Sequence, residues 1–402
     1  MKYDQRGVSA SKSEVHAAIK HLDKGLYPNA FCKILPDISG GDASYCNLLH
    51  ADTAGTKTSL AYLYWRETGD LSVWAGIAQD AIVMNLDDMA CVGCVDDIIL
   101  SNTIGRNKNL VPGAVVEAII NGTSDFIAQM RNWGVHLHLA GGETADVGDI
   151  VRTVDVGFTA FARMPRANVR VANIQPGDVV VGLASFGQTV YESAYNGGMG
   201  SNGLTSARHD VLHHDYAGRF PESFDPNLSR EVVYTGDRRL TDPYPVALHS
   251  APSDLYTPPA IVPVGKLLLS PTRSYLPVLK ELLAALPSEA LHGLIHCTGG
   301  GQTKVLKFIQ NAHVIKDNLF DLPPLFRLIQ ESSGTDWREM YSVFNMGHRM
   351  EVYVPEQWAH TVIELAAKYN IDSRVIGRVV PATGQKVTVQ TILGIFEYEE
   401  SV

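Results

Sequence analysis

The stretch Cys46-Asn47-Leu48-Leu49-His50-Ala51, continuing as Asp52-Thr53-Ala54-Gly55-Thr56-Lys57-Thr58, sets the pattern of the chain. Its first part reads as a strand. The strand ends in a turn of small residues that carries a carboxylate, hydroxyls, a glycine and a lysine. A nucleotide phosphate site needs this mix: a carboxylate for a divalent cation, amides on a glycine turn, and a cation for phosphate oxygens. The turn is not a Walker A loop, because G-x-x-x-x-G-K-[ST] is absent. Short Asp/Gly/Thr turns are also common in ordinary proteins.

The same design recurs along the chain. Val135–Ala140 alternates as a strand and runs into Gly141-Gly142-Glu143-Thr144. Leu294-Ile295-His296 precedes Gly299-Gly300-Gly301. Helical periods run over 73–89, 115–133, 275–285, 303–310, 324–331 and 358–369, and further strands over 98–104, 154–160, 179–183, 350–354, 373–379, 386–389 and 392–398. Consecutive strands near 135–162 and 373–398 break a repeated βαβ order, so the fold class expected is α+β. The polar, basic stretch Arg163-Met164-Pro165-Arg166-Ala167-Asn168 divides an N-terminal domain, 1–165, from a C-terminal domain, 166–402. Residues from about 208 to 263 are rich in His, Asp, Tyr and Pro with weak periodicity. They read as a long excursion with little regular structure.

Whole-chain composition excludes several classes. The chain has 402 residues, a net charge of −10 and 45% hydrophobic residues, too apolar for a disordered chain. The acidic balance argues against a nucleic-acid partner. Nothing resembles a run of ~18 apolar residues, so no membrane span is expected. The start lacks the apolar core of a signal peptide. Five scattered cysteines form no disulfide framework, so the cytoplasm is the expected location. Cys91-Val-Gly-Cys94 follows a helical pattern instead of opening one and reads as buried small residues.

Asp52, Asp88 and Glu143 make a plausible Mg²⁺ set if the fold brings them together. Gly299–Gly301 before a helix can bare amides to an anion or serve as a flexible turn. Ser201 lies in Gly-Ser-Asn-Gly, not in the G-x-S-x-G of a hydrolase.

Seven segments, taken in order, resemble the aminoimidazole ribonucleotide synthetase (phosphoribosylformylglycinamidine cyclo-ligase) family. They are Asp52–Lys57, Gly76–Asp80 through Asp88, Gly141–Ala145, Gly200–Gly203, Ser270–Arg273, His296–Gly301 and Met340–Gly347. The resemblance implies two α/β-mixed domains with a ligand cleft between them, and a homodimer formed through the N-terminal domains. It implies ATP with Mg²⁺ as cofactors and formylglycinamidine ribonucleotide as substrate. Asp52, Lys57 and Asp88 would be catalytic, and Asp52, Asp88 and Glu143 would serve the metal. Gly40, Gly41, Gly55, Thr56, Lys57, Gly141, Gly142 and Thr144 would meet the nucleotide. Ser201, Asn202, Gly203, Gly299, Gly300, Gly301 and Asn345 would lie on the substrate side. The chain departs from the family pattern at Gly200, where His is usual, at Asp87, where Asn is usual, and at Gly347-His348-Arg349-Met350, which replaces Gly-x-Gly-Met. His348 is the candidate to take over from the missing histidine. Alternatives are another ATP-using superfamily member, such as a formylglycinamidine ribonucleotide synthetase or a small-molecule kinase, and a non-catalytic nucleotide-binding paralogue.

Overall fold

The computed structural model describes residues 5–7, 18–246 and 260–399. The first sheet has five strands: β1 (Ile34–Pro36), β2 (Tyr45–Thr53), β3 (Ile98–Arg106), β4 (Leu137–Asp146) and β5 (Val154–Pro165), in the order β1-β2-β5-β3-β4. Neighbours are antiparallel except β3 and β4, which are parallel. Helices α1 (Lys57–Thr68), α2 (Val73–Ala90) and α3 (Gly113–Asn132) pack on one face. α2 is buried nearly all round, as its apolar sequence requires. Strand alternation assigns the faces. The row His50, Ala160, Leu100 lies under the helices, and the row Leu49, Phe161, Ile99 lies on the opposite, open face. Leu49 is 61% exposed and Ile99 41%.

The C-terminal part opens with β6 (Asp178–Ala184), then α4 (Leu204–Val211), α5 (Asp215–Arg219) and a hairpin of β7 (Pro243–Val246) and β8 (Ala260–Pro263). α6 (Val264–Leu268), α7 (Leu276–Ala285) and β9 (Gly293–His296) follow. Next come β10 (Ala312–Lys316), α8 (Pro324–Ser333), α9 (Trp337–Val343), β11 (His348–Pro355) and α10 (Ala359–Lys368). β12 (Ser373–Pro381), β13 (Gln385–Thr391) and β14 (Gly394–Glu399) complete a seven-stranded sheet ordered β14-β13-β10-β12-β6-β11-β9. Among the described residues no helix is long and apolar enough to cross a membrane.

Three sequence expectations change. The 208–263 stretch is not structureless in its described part: Tyr216, Phe220, Phe224, Tyr234 and Leu240 are buried and make a small core. Gly141–Thr144 is not a turn after a strand; β4 runs through it with a register shift against β3. A Cβ on Gly142 would overlap the Asn102 side chain, so this glycine serves close strand approach. Residues 301–308 form a 3₁₀ helix, not an α-helix.

Candidate active site

The two sheets meet where α1 and α2 face loops of the C-terminal part. Lys57, first residue of α1, is fully buried and has three acceptors: Asp80 Oδ1 at 2.7 Å, Ser270 O at 2.6 Å and Gly200 O at 3.1 Å. Asp80 Oδ1 also accepts from Thr272 N and Oγ1 at 2.7 and 2.5 Å, and its Oδ2 has no partner. Burial pushes the Asp80 carboxyl up and the Lys57 ammonium down, and their mutual pairing opposes both shifts. Lys57 therefore ties the domains together and is not free to meet phosphate. Asp80, absent from the sequence-derived set, is its partner.

A second crossing runs through Asp87. Its Oδ2 accepts from Arg349 Nη2 at 3.0 Å, and the same Nη2 donates to Arg273 O. A Cβ on Gly200 would stand 3.4 Å from Arg349 Cδ. The three family departures, Asp87, Gly200 and Arg349, thus form one spatial group. His348 is not the replacement for the missing histidine: it is buried against Glu351 at 2.9 Å, and Glu351 is also paired with Lys316. Arg349, its neighbour on the other side of the strand, faces Gly200.

Asp88 lies between two imidazoles. His296 Nδ1 is 2.7 Å from its Oδ1, and His50 Nε2 is 3.4 Å from its Oδ2. Burial raises the Asp88 pKa, but the two histidines outweigh burial and hold it below the usual carboxylate range. Burial also works against charge on His50, and Asp88 more than offsets it, so His50 is raised. With one imidazole at each oxygen, Asp88 anchors His50 and His296.

Register separates the rest of the predicted metal set. Asp52, Phe158, Asn102 and Gly142 form one row across β2, β5, β3 and β4, and Thr53, Gly157, Thr103 and Glu143 form the next. Side chains of adjacent rows point to opposite faces, so Asp52 lies on the helix side and Glu143 on the open face. Three strand spacings, roughly 14 Å, separate their strands. Within one chain Asp52, Asp88 and Glu143 do not converge. Gly141 and Thr144 lie on the same exposed edge strand as Glu143. Gly40 and Gly41 are also committed elsewhere: their amides donate to Asp37 Oδ1 and Asp37 O at 3.0 and 2.9 Å. Asp37 in turn pairs with Arg163 at 2.9 Å, which holds its pKa low.

What does converge is the turn after β2 with the C-terminal loops. Asp52 Oδ1 accepts from Thr53 N at 2.7 Å, and Gly55, at φ +59°, has open space where a Cβ would stand. Thr56 Oγ1 lies 2.6 Å from Thr205 Oγ1 across the domain junction. Gly203 and Gly301 both pack on Phe344, the first on its ring and the second on its carbonyl, and a Cβ on Gly299 would stand 3.9 Å from Asn202 Oδ1. Gly300, at φ +102°, opens the 301–308 helix. Ser201 Oγ is buried without a partner. Asn345 is a clamp: its Oδ1 accepts from Ser185 Oγ and Gly347 N, and its Nδ2 donates to Gly198 O and Met199 O. All four hydrogen-bonding positions of that amide are used, so it shapes the loops without being free for a ligand.

Known proteins resemble this chain over most of its length. The family model "AIR synthase related protein, N-terminal domain" matches residues 37–164, and its C-terminal counterpart matches residues 247–390. A phosphoribosylformylglycinamidine cyclo-ligase of Methanococcus vannielii is 27% identical over 377 residues, covering 92% of this chain and 86% of the relative. The protein of that name from Bacillus cereus strain AH187 is 27% identical over 339 residues, covering 83% and 80%. Among solved structures, T. maritima PurL complexed with FGAR shares the fold at a TM-score of 0.50 and 13% identity. The match covers 99% of this chain, which spans only 54% of that one. The chain belongs to the AIR synthase related protein family.

Proposed function

We infer that the chain is an ATP-dependent cyclo-ligase that converts formylglycinamidine ribonucleotide to aminoimidazole ribonucleotide, ADP and phosphate. The observation that carries this reading is the Thr56–Thr205 contact, which brings the turn after β2 to the helix that follows Ser201–Gly203, with Gly299 beside Asn202, in a chain whose curated relatives bear the cyclo-ligase name. An amide oxygen is a poor leaving group. Transfer of the γ-phosphoryl group to it gives an iminophosphate. The amidine nitrogen then attacks the activated carbon, phosphate leaves, and the five-membered ring closes with loss of a proton. Such a site works by holding the groups in line and offsetting phosphate charge.

Mg²⁺ fits this site through few protein ligands, since it is commonly held by one or two carboxylates plus substrate phosphates. Asp52 is the carboxylate of this chain at the turn, and when bound the ion would neutralise charge on the transferring group. Thr56 and the Gly55 backbone supply a hydroxyl and close approach for phosphate oxygens. Ser201 and Asn202 stand on the substrate side.

A homodimer is part of this reading. The open row Leu49, Phe161 and Ile99 supports it, because an apolar strip across adjacent strands favours burial against a partner. Five free cysteines, four of them buried, suit a reducing cytoplasm. The test is turnover: purified chain with ATP, Mg²⁺ and formylglycinamidine ribonucleotide should form aminoimidazole ribonucleotide. Absence of that product with ADP release on another amide substrate would favour a different member of the superfamily.

A further inference from the structure

Arg208, on α4, is 4% exposed, and its Nη1 hydrogen bonds go only to neutral acceptors: Ser223 O at 2.7 Å, Ser59 Oγ at 2.8 Å and Tyr234 Oη at 3.2 Å. Its Nε has no acceptor, and among the described residues no carboxylate forms an ion pair with it. A buried cation without a counter-ion is costly. Arg6 lies close enough to add like-charge repulsion, and is itself paired with Asp210 at 2.8 Å. The adjacent His209 is fully buried. Its Nδ1 accepts from Tyr234 N at 3.3 Å, which leaves the ring proton on Nε2, and that donor also lacks an acceptor.

Both residues line a cleft of about 430 Å³ at the domain junction. Thr205, one turn before Arg208 on α4, lines the same cleft, as do Thr56 and Arg152. Of the three acidic residues at the cleft, Glu222 accepts from Tyr62 at 2.6 Å and Asp225 lies 3.2 Å from Arg152, while burial pushes the carboxyl of the third, Asp155, up, towards its neutral form. Arg208, His209 and the 222–228 wall fall outside both stretches matched by the family model. The size suits a phosphorylated sugar or nucleotide portion.

We propose that this cleft is a phosphoryl-anion subsite, with the buried Arg208 as counter-ion and the Thr56 and Thr205 hydroxyls as donors. It rests on the cyclo-ligase reading only for the source of the anion, a ribonucleotide 5′-phosphate or an ATP phosphate. The test is calorimetry on the full chain with ribose 5-phosphate and, separately, ADP. Wild type should bind at least one of them, and Arg208→Met should weaken that one at least tenfold. Loss confined to ribose 5-phosphate assigns the monoester; loss confined to ADP assigns the nucleotide. Equal affinities in wild type and variant, or no binding of either probe by wild type, would overturn the subsite. Should Arg208→Met fail to fold, Thr205→Val should weaken the same probe, and unchanged affinity there would overturn it equally. Binding is read without turnover, so a negative result removes the subsite and leaves the cyclo-ligase reading to its own assay.

Discussion

Asp87, Arg349 and Gly200 behave as a unit because each supplies what another lacks. The carboxylate offsets the guanidinium, and the missing side chain at Gly200 leaves room for the arginine stem. Asp87→Asn strands a buried charge and should cost about 3–5 kcal/mol in denaturant unfolding. Gly200→His alone adds an imidazole at φ +69°, a backbone region that costs a side chain roughly 1–2 kcal/mol. Combined with Asp87→Asn and Arg349→Gly the losses should be strongly non-additive, and simple additivity would dissolve the unit. No sequence reading could find it, since the three positions are far apart and each departure looked isolated. The His50–Asp88 pair gives a pH prediction. The folded pKa of His50 is raised, so its stabilisation is present below the unfolded value of about 6.5 and is lost as pH rises through the folded value. His50→Gln should flatten the fall of Tm on the alkaline side of that window. An unchanged pH profile would reject the pairing.

At the scale of elements, long periodic segments were legible and short or doubly buried ones were not. α3 reads clearly because its apolar positions repeat with a helical period, and α2, though buried nearly all round, because its 18 residues are too many for a strand. α1 was missed because Leu60, Ala61, Tyr62, Leu63 and Tyr64 are all buried, which erases the alternation of faces. α9 spans only Trp337–Val343, too short for a period. The glycine loops were legible as loops, but their purposes separate only in three dimensions. Gly203 sits at φ +81° against the Phe344 ring, whereas Gly55 sits at φ +59° in open space. Gly203→Ala should therefore destabilise well beyond the roughly 1–2 kcal/mol left-handed penalty that Gly55→Ala carries. Equal losses by chemical denaturation would contradict the packing role.

For the whole molecule, composition and order of segments carried the two-sheet architecture, while the faces of each strand decided which carboxylates could meet. A net charge of −10 is compatible with anionic ligands, because the cations that matter are placed singly at the junction. The open face of the first sheet belongs to this scale too. For the proposed homodimer, Ile99→Asp should lower the sedimentation coefficient while leaving the fold intact, and an unchanged coefficient would remove that face from the proposed interface. The proposed reaction turns on phosphoryl transfer to the formyl amide oxygen before ring closure. Substrate labelled with ¹⁸O at that oxygen, turned over by the purified chain with ATP and Mg²⁺, tests it most directly. The label should leave in inorganic phosphate, one atom for each aminoimidazole ribonucleotide formed. Label released into water, or ring formation without ATP cleavage, would contradict it.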